Sequence, residues 1–273
     1  MMARKHLVLT LVIVTFTLSG AAGILGVIIG HRLGQLRTLS RLTFDRFTSA
    51  PFGKLPAHRQ LLLSTEEAFR TYLGTDGQDR WIALVVFPDV KDGYYLDVGA
   101  GDGVHLSNTK MLDERGWKGI CIDPFPANME TRTAKVFREV VSSEKGQKVR
   151  FRPSGFLGGI EDYFNFTKDW EPHKQHKALE LTTTTLDDIL ARANAPNYIH
   201  YMSLDIEGAE MEALKGFSFS KYKVGALTVE HNWEEPKRSL IRALLESRGY
   251  RRVFANTRDD YYLHHELITV PRR

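Results

Sequence analysis

Only one cysteine, Cys121, occurs among 273 residues, so no disulfide can close within the chain, and a disulfide-stapled secreted scaffold is excluded. Cys121 lies in the apolar run Gly119-Ile-Cys-Ile-Asp123, which suits a small buried side chain better than a nucleophile. No Cys/His spacing suited to zinc is present, and there is neither an internal repeat nor a low-complexity tract. A basic face is missing as well, although the isoelectric point is near 9.0. Arg4, Lys5, Arg32, Arg37, Arg41 and Arg46 outweigh Asp45 in the first 50 residues, so the overall charge of +4 leaves residues 51–273 at −1. Binding nucleic acid requires clustered cations that displace counterions, and the bulk of the chain does not offer them. No nucleic-acid partner is expected.

What is present begins with 24 consecutive residues free of formal charge, Leu7 to Gly30. As a helix rising 1.5 Å per residue they would reach roughly 36 Å, enough to cross a hydrocarbon core of about 30 Å. A cleaved signal peptide is the competing reading, with Arg4-Lys5-His6 as its basic start and Ser19-Gly20-Ala21 as small residues at a cleavage point. The apolar run continues through Ile24, Leu25, Val27, Ile28 and Ile29, past the length of a signal peptide, and favours an anchor. The expected organisation is therefore a single-pass membrane anchor over 1–30, a juxtamembrane linker over 31–63, and a folded domain over 64–273. Four arginines follow the apolar segment, and the positive-inside rule then favours a cytosolic over a lumenal domain. The sequon Asn165-Phe-Thr167 would matter only in a lumenal one. Ala22, Gly26, Gly30 and Gly34 recur every four residues, a face through which two membrane helices could pair as a homodimer.

Beyond the linker, Ser64-Thr-Glu-Glu67 is a capping box that predicts a helix running to about Gly74, and Trp81 to Phe87 is a buried apolar run. From Tyr94 onward short apolar strands alternate with amphipathic helices, the signature of a sheet covered on both faces. Strands are predicted at Tyr94–Val98, Gly119–Asp123, Val136–Val141, His200–Asp205, Val224–Glu230, Arg251–Ala255 and Tyr261–Leu267. Helices are predicted near Leu106–Glu114, Ala127–Ala134, Leu186–Ala193, Ala209–Leu214 and Pro236–Ser247. The last two strands lack an intervening helix, which makes that pair antiparallel. The expected class is α/β, a Rossmann-like seven-stranded sheet, mostly parallel with its last strand antiparallel, behind one transmembrane helix.

Asp97-Val-Gly-Ala-Gly-Asp-Gly103 sits between a strand and a helix, where glycines let backbone approach a bound cofactor. Its spacing, G-x-G-x-G, departs from the dinucleotide fingerprint, and an acidic residue precedes it. A carboxylate repels pyrophosphate but attracts a sulfonium carrying a free amino group, so Asp97, Gly99, Ala100 and Gly101 point to S-adenosylmethionine. Asp123, 22 residues beyond Gly101, is placed to accept from ribose hydroxyls, with a helix N-cap as its alternative role. Pro124 and Phe125 offer apolar surface to the adenine, and Ser142 or Ser143, at the end of the third strand, is placed to hydrogen-bond its edge.

A second constellation, Asp205-Ile-Glu-Gly-Ala-Glu210, closes the fourth strand, while Glu230-His231-Asn232 ends its neighbour. Methyl transfer needs an acceptor lone pair in line with the departing sulfur, so Asp205, Glu207 and His231 are the candidate catalytic groups. Helix capping by Asp205 and dipole contacts of Glu207 and Glu210 are the plain structural alternative. A divalent cation of the magnesium class among these carboxylates is a further device, which the residues alone do not require. No metal ligand is predicted.

Taken together, these segments resemble the FkbM family of methyltransferases over about Tyr94 to Leu267. The resemblance is carried by Tyr95-Leu-Asp-Val-Gly-Ala-Gly-Asp-Gly103, Leu106-Ser-Asn-Thr109, Gly116-Trp-Lys-Gly-Ile-Cys-Ile-Asp-Pro124, Thr185-Leu-Asp-Asp-Ile189, Met202-Ser-Leu-Asp-Ile-Glu-Gly-Ala-Glu210 and Leu227-Thr-Val-Glu-His231. It implies a seven-stranded methyltransferase fold and S-adenosylmethionine-dependent, usually O-directed methylation of a small molecule, glycan or lipid. It carries cofactor roles onto Asp97, Gly99, Gly101 and Asp123, and a cleft role onto Asp205, Glu207 and Glu210. Two positions depart from the pattern: many relatives have Lys at the place of Ser203, and Glu-Pro-Asn at the place of Asp123-Pro-Phe125. Ser203, the anchor and the small-residue stripe motivate the alternative reading, a catalytically inactive membrane-anchored trafficking or binding protein that reuses the fold.

Overall fold

The computed structural model describes residues 73–163, 176–256 and 258–269. The predicted membrane anchor, linker, capping-box helix and sequon lie outside the described residues. Among those described, no helix is long and apolar enough to cross a membrane.

A short helix α1, Gln78–Arg80, continues into a π-helical turn over Trp81–Val86, followed by β1 (Tyr94–Val98), α2 (Lys110–Glu114), β2 (Lys118–Ile122) and β3 (Lys135–Phe137). Then come β4 (Val140–Val141), β5 (Lys148–Arg152), β6 (Gly159–Ile160) and β7 (Leu179–Thr184). The second half carries α3 (Leu186–Ala193), β8 (Tyr198–Leu204), α4 (Glu210–Lys215), β9 (Lys223–Glu230), α5 (Lys237–Ser247), β10 (Tyr250–Ala255), β11 (Asp259–His264) and α6 (His265–Thr269).

Seven strands form one sheet in the order β10-β11-β9-β8-β1-β2-β3. The pairs β1–β2, β1–β8, β2–β3 and β8–β9 are parallel, while β11 runs antiparallel to both β9 and β10. Strand order reverses between β1 and β8, the switch point outside which open α/β sheets bind ligands.

Alternation along the strands explains why both faces are covered. Leu96, Val98, Ile120, Ile122, Met202 and Leu204 pack on one face with Leu186, Ile189, Leu190 and Leu245. Tyr95, Cys121, Tyr201, Ala226 and Tyr261 belong to the other face, under Trp81, Met111, Leu112 and Trp117. The apolar run Trp81–Phe87 thus closes the second layer, and the Trp81 ring meets Tyr261 edge-on at 5.0 Å. In α3, Thr185 caps the first turn by accepting from the Asp188 amide (3.2 Å), and Asn194 ends the helix in the left-handed conformation.

Four sequence expectations are corrected. The helix expected at Ala127–Ala134 is only a 3-10 turn, Met129–Thr131. The reason is that Asn128 is left-handed (φ 46°) and the Arg132 side chain is drawn into the interior. The strand expected at Val136–Val141 breaks at Arg138-Glu139, so that β3 joins the main sheet and β4 a second, four-stranded sheet, β4-β7-β5-β6. The helix expected from Leu106 starts at Lys110, because Leu106 is left-handed (φ 58°) and Ser107 Oγ accepts from the Thr109 and Lys110 amides. The last strand begins at Asp259 and gives way at His265 to α6, where the His265 amide bonds to the Gly249 carbonyl.

Candidate functional site

The glycine turn after β1 is held open by its neighbours. The amides of Gly99 and Ala100 both donate to the Ile122 carbonyl, at 2.9 and 3.1 Å, tying the turn to the end of β2. Gly99 has φ of 90°, and a Cβ there would lie 1.7 Å from the Asp205 carbonyl oxygen, so no other residue fits. Gly101 donates its amide to Asp123 Oδ2 (3.0 Å), while the Phe125 amide donates to Asp123 Oδ1 (2.8 Å). Asp123 therefore clamps the ends of β1 and β2 together, and burial raises its pKa against those two donors.

Asp97 is buried at the end of β1 and accepts from Thr109 Oγ1 at 2.5 Å. Burial pushes its pKa up to about 6, opposed by the positive charge of Arg132. Arg132 is the hub beneath the turn: it reaches the Gly103 carbonyl (2.8 Å), Thr109 Oγ1 (2.7 Å), Tyr95 Oη (2.9 Å) and Asp113 (2.5 Å). Tyr95 also donates a short hydrogen bond to Asp113. Asn108 Nδ2 donates to Ser203 Oγ (2.9 Å), whereas Asn108 Oδ1 is buried without a partner.

Beyond β8 the chain makes a tight turn through Glu207 (φ 53°) and Gly208 (φ 112°). A left-handed non-glycine residue costs energy, and such strain gathers at functional sites. Glu210 stabilises the turn: its Oε1 accepts from the amides of Ile206 (3.1 Å) and Gly208 (3.0 Å), and Lys237 lies 3.5 Å from its other oxygen. Carboxylate oxygens of Asp205, Glu207 and Glu230 come within 4.8 Å of one another. Burial first, then repulsion from Asp205 and Glu210, pushes the Glu207 pKa up to about 9. Glu230 is raised well above the carboxylate range by burial and by Asp205 and Glu207.

One cleft brings these parts together. It is lined by Asp97, Gly99, Ala100, Gly101, Asp123 and Pro124 from the first constellation and by Asp205, Glu207 and Glu230 from the second. Two expected site residues fall outside the lining. Ser142 is buried where its amide pairs with the Thr184 carbonyl (2.9 Å) of the small sheet, and Glu139, Val140 and Val141 reach the cleft instead. His231, expected to face the cleft, is turned aside: its Nδ1 accepts from the Trp233 amide (3.0 Å) and its Nε2 lies 3.8 Å from Asp260. Burial lowers the His231 pKa to about 4, so the ring is neutral near pH 7. Ser203 also lies off the lining, buried next to Asp97 in the sheet register. Glu210, through its turn contacts, serves the shape of the cleft from behind.

Other lining residues escaped the sequence reading. Asp76 and Gln78 come from the chain before the sheet, and Arg258 and Asp259 from the β10–β11 connection. Arg258 bonds Asp76 Oδ2 at 3.0 and 3.3 Å, and Gln78 Nε2 donates to Asp259 at 3.0 Å. Their separations, 182 and 181 residues, leave no local signal. Phe156, also unread, and the expected Phe125, both about half exposed, flank the opening, and Phe156 sits over Gly101.

No curated protein matches the sequence. The family model described as the methyltransferase FkbM domain matches residues 97–252, from the carboxylate at the end of β1 into β10. That span covers more than half of the chain and includes both halves of the cleft. The chain belongs to the FkbM methyltransferase family.

Proposed function

We propose that the protein is an S-adenosylmethionine-dependent methyltransferase directed to an oxygen of a small-molecule, glycan or lipid acceptor. The observation that carries this reading is the convergence of a glycine-rich turn, the buried Asp97, the half-buried Asp123 and an unpartnered acceptor, Asn108 Oδ1, in one cleft. These groups fit the cofactor. Asp97 and Asn108 Oδ1 would meet its ammonium end, Gly99 and Gly101 leave room along its backbone side, and Asp123 with Pro124 would hold the ribose and adenine. When bound, S-adenosylmethionine supplies an electrophilic methyl group on a sulfonium sulfur.

The chain's own contribution is then orientation and proton handling. Asp205 and Glu207 lie at the same sheet edge as the glycine turn, so an acceptor hydroxyl resting on them faces the cofactor end of the cleft. Glu207 holds its proton at neutral pH in the free chain, and positive charge beside it lowers its pKa and readies it as a general base. Glu207→Gln is expected to leave cofactor affinity within a few-fold while lowering turnover at least ~100-fold, the range of a general base. Full turnover in that variant would remove Glu207 from the chemistry.

The uncharged stretch Leu7–Gly30 supports a single-pass anchor, with the catalytic domain on the cytosolic side and the acceptor at or near the membrane. The small-residue stripe within it supports pairing of two anchors. The full chain in detergent, given methyl-labelled S-adenosylmethionine and fractionated lipids, glycans or small metabolites, should place label in an alkali-stable ether. Label confined to amines would overturn the O-directed assignment.

A further inference from the structure

We infer that Asp205, Glu207 and Glu230 form a binding site for one divalent cation of the magnesium–manganese class. The inference rests on which carboxylates in the cleft have donors. Eight line it, Asp76, Asp97, Asp123, Glu139, Asp205, Glu207, Glu230 and Asp259, against Arg258 as the one lysine or arginine among the described lining residues. Five of the eight are provided for. Arg258 bonds Asp76, Thr109 bonds Asp97, two amides bond Asp123, Arg192 bonds Glu139 at 2.8 and 2.5 Å, and Gln78 bonds Asp259.

The three that remain are the cluster, in which Asp205 has the Glu230 carboxyl as its hydrogen-bond partner and the charge of Arg258 beside it. Glu207 Oε2 receives one long bond from Asn232 (3.5 Å), and the buried Glu230 Oε2, in a residue only 6% exposed, receives none. A buried unpaired carboxylate oxygen is costly unless a proton, a donor or a cation meets it. Three oxygens within 4.8 Å of one another can be drawn by side-chain rotation to the spacing of about 3 Å between neighbouring ligands of an octahedral shell with bonds of about 2.1 Å. An all-oxygen set selects magnesium or manganese over zinc. The site opens to the cleft, so the remaining coordination positions are free for water or for acceptor oxygens, and a hydroxyl bound there would release its proton more readily.

The cation site stands on the donor count and does not require the methyl-transfer reading, although it would serve it. Mn²⁺ is titrated into the full chain in detergent micelles, with the free ion followed by electron paramagnetic resonance and S-adenosylmethionine binding measured in parallel by calorimetry. One saturable Mn²⁺ per chain is expected, displaced by excess Mg²⁺. Glu230→Gln and Glu207→Gln should each weaken it more than the ~10-fold that loss of an outer-shell partner brings. Cofactor affinity within a few-fold of the parent chain shows that each variant is folded. Cofactor binding without Mn²⁺ binding overturns the site and assigns the cluster a shared proton between Asp205 and Glu230. Mn²⁺ binding undiminished in both variants also overturns it, placing the ion elsewhere, such as at the cluster of the buried His264 with the exposed His265 and Glu266. Mn²⁺ binding lost in both variants supports the site even if S-adenosylmethionine fails to bind the parent chain, folding then being read from thermal unfolding.

Discussion

At the scale of single residues, the site depends on a few positions whose chemistry cannot be exchanged. Gly99 combines a positive φ with a Cβ position inside the Asp205 carbonyl, so Gly99→Ala must displace the β8 end or the turn. A loss of about 2 kcal/mol or more is expected, read as a lower midpoint of denaturant unfolding. Asp97 makes a different prediction. Its carboxyl ionises near pH 6, so attraction for the cofactor's ammonium group is complete above that pH and declines below it. Affinity for S-adenosylmethionine should fall by up to ~10-fold per pH unit below about 6, and Asp97→Asn should be weak at every pH. A flat profile in the parent chain would remove Asp97 from the ammonium subsite. These residues were readable because the motif that carries them is contiguous: a strand-end acid and glycines at fixed spacing. Arg132 was not, since nothing in Thr131-Arg-Thr133 distinguishes a buried hub from a surface cation on a helix. Removing it, as in Arg132→Met, leaves Asp113 buried without its ion pair and should cost ~3–5 kcal/mol.

At the scale of elements, strands with strong alternation or continuous apolar runs were legible, and those defined by distant pairing were not. β1, β2, β8, β9, α3 and α5 fall within a few residues of the sequence expectation, because each buries a face that its own pattern declares. The second sheet went unread. Its strands β4 and β6 are two residues long, and β7 joins a distant β5, so their order comes from partners and not from local pattern. That sheet matters to the site, since Val140, Val141 and Phe151 reach the cleft from it, with Glu139 just before β4, while Ser142 is consumed by pairing. Local capping is separable from function. Thr185→Ala should destabilise by about 1 kcal/mol through α3 and leave cofactor affinity unchanged, as Thr185 does not line the cleft. A large loss of binding would mean that α3 governs the cleft through the second sheet.

At the scale of the whole molecule, the cleft concentrates negative charge at the switch point of the sheet, and that concentration sets the pH response of stability. Glu207 ionises near pH 9 when folded and near 4.5 when unfolded, and Glu230, Asp205 and Asp259 shift in the same direction. Between those pH values the folded state binds more protons than the unfolded one, so stability falls as pH rises through that window. The free chain should therefore melt at a lower temperature at pH 8.5 than at pH 6, and a bound cation should narrow the difference. The acidic crowding was visible in the sequence as two clusters beside the expected Asp97 and Asp123; that Asp76 and Asp259 share their cleft followed only from the packing of segments 182 and 181 residues apart, and that Glu139 does followed from the break before β4. The same scale contains the central claim, that one cleft at the ends of β1, β2 and β8 holds S-adenosylmethionine. Its most direct test is calorimetric titration of S-adenosylmethionine into the full chain in detergent, with NAD as the control. Saturable binding of S-adenosylmethionine alone, lost in Asp97→Asn, is the predicted result; a folded chain that binds neither, or that binds NAD instead, would contradict it.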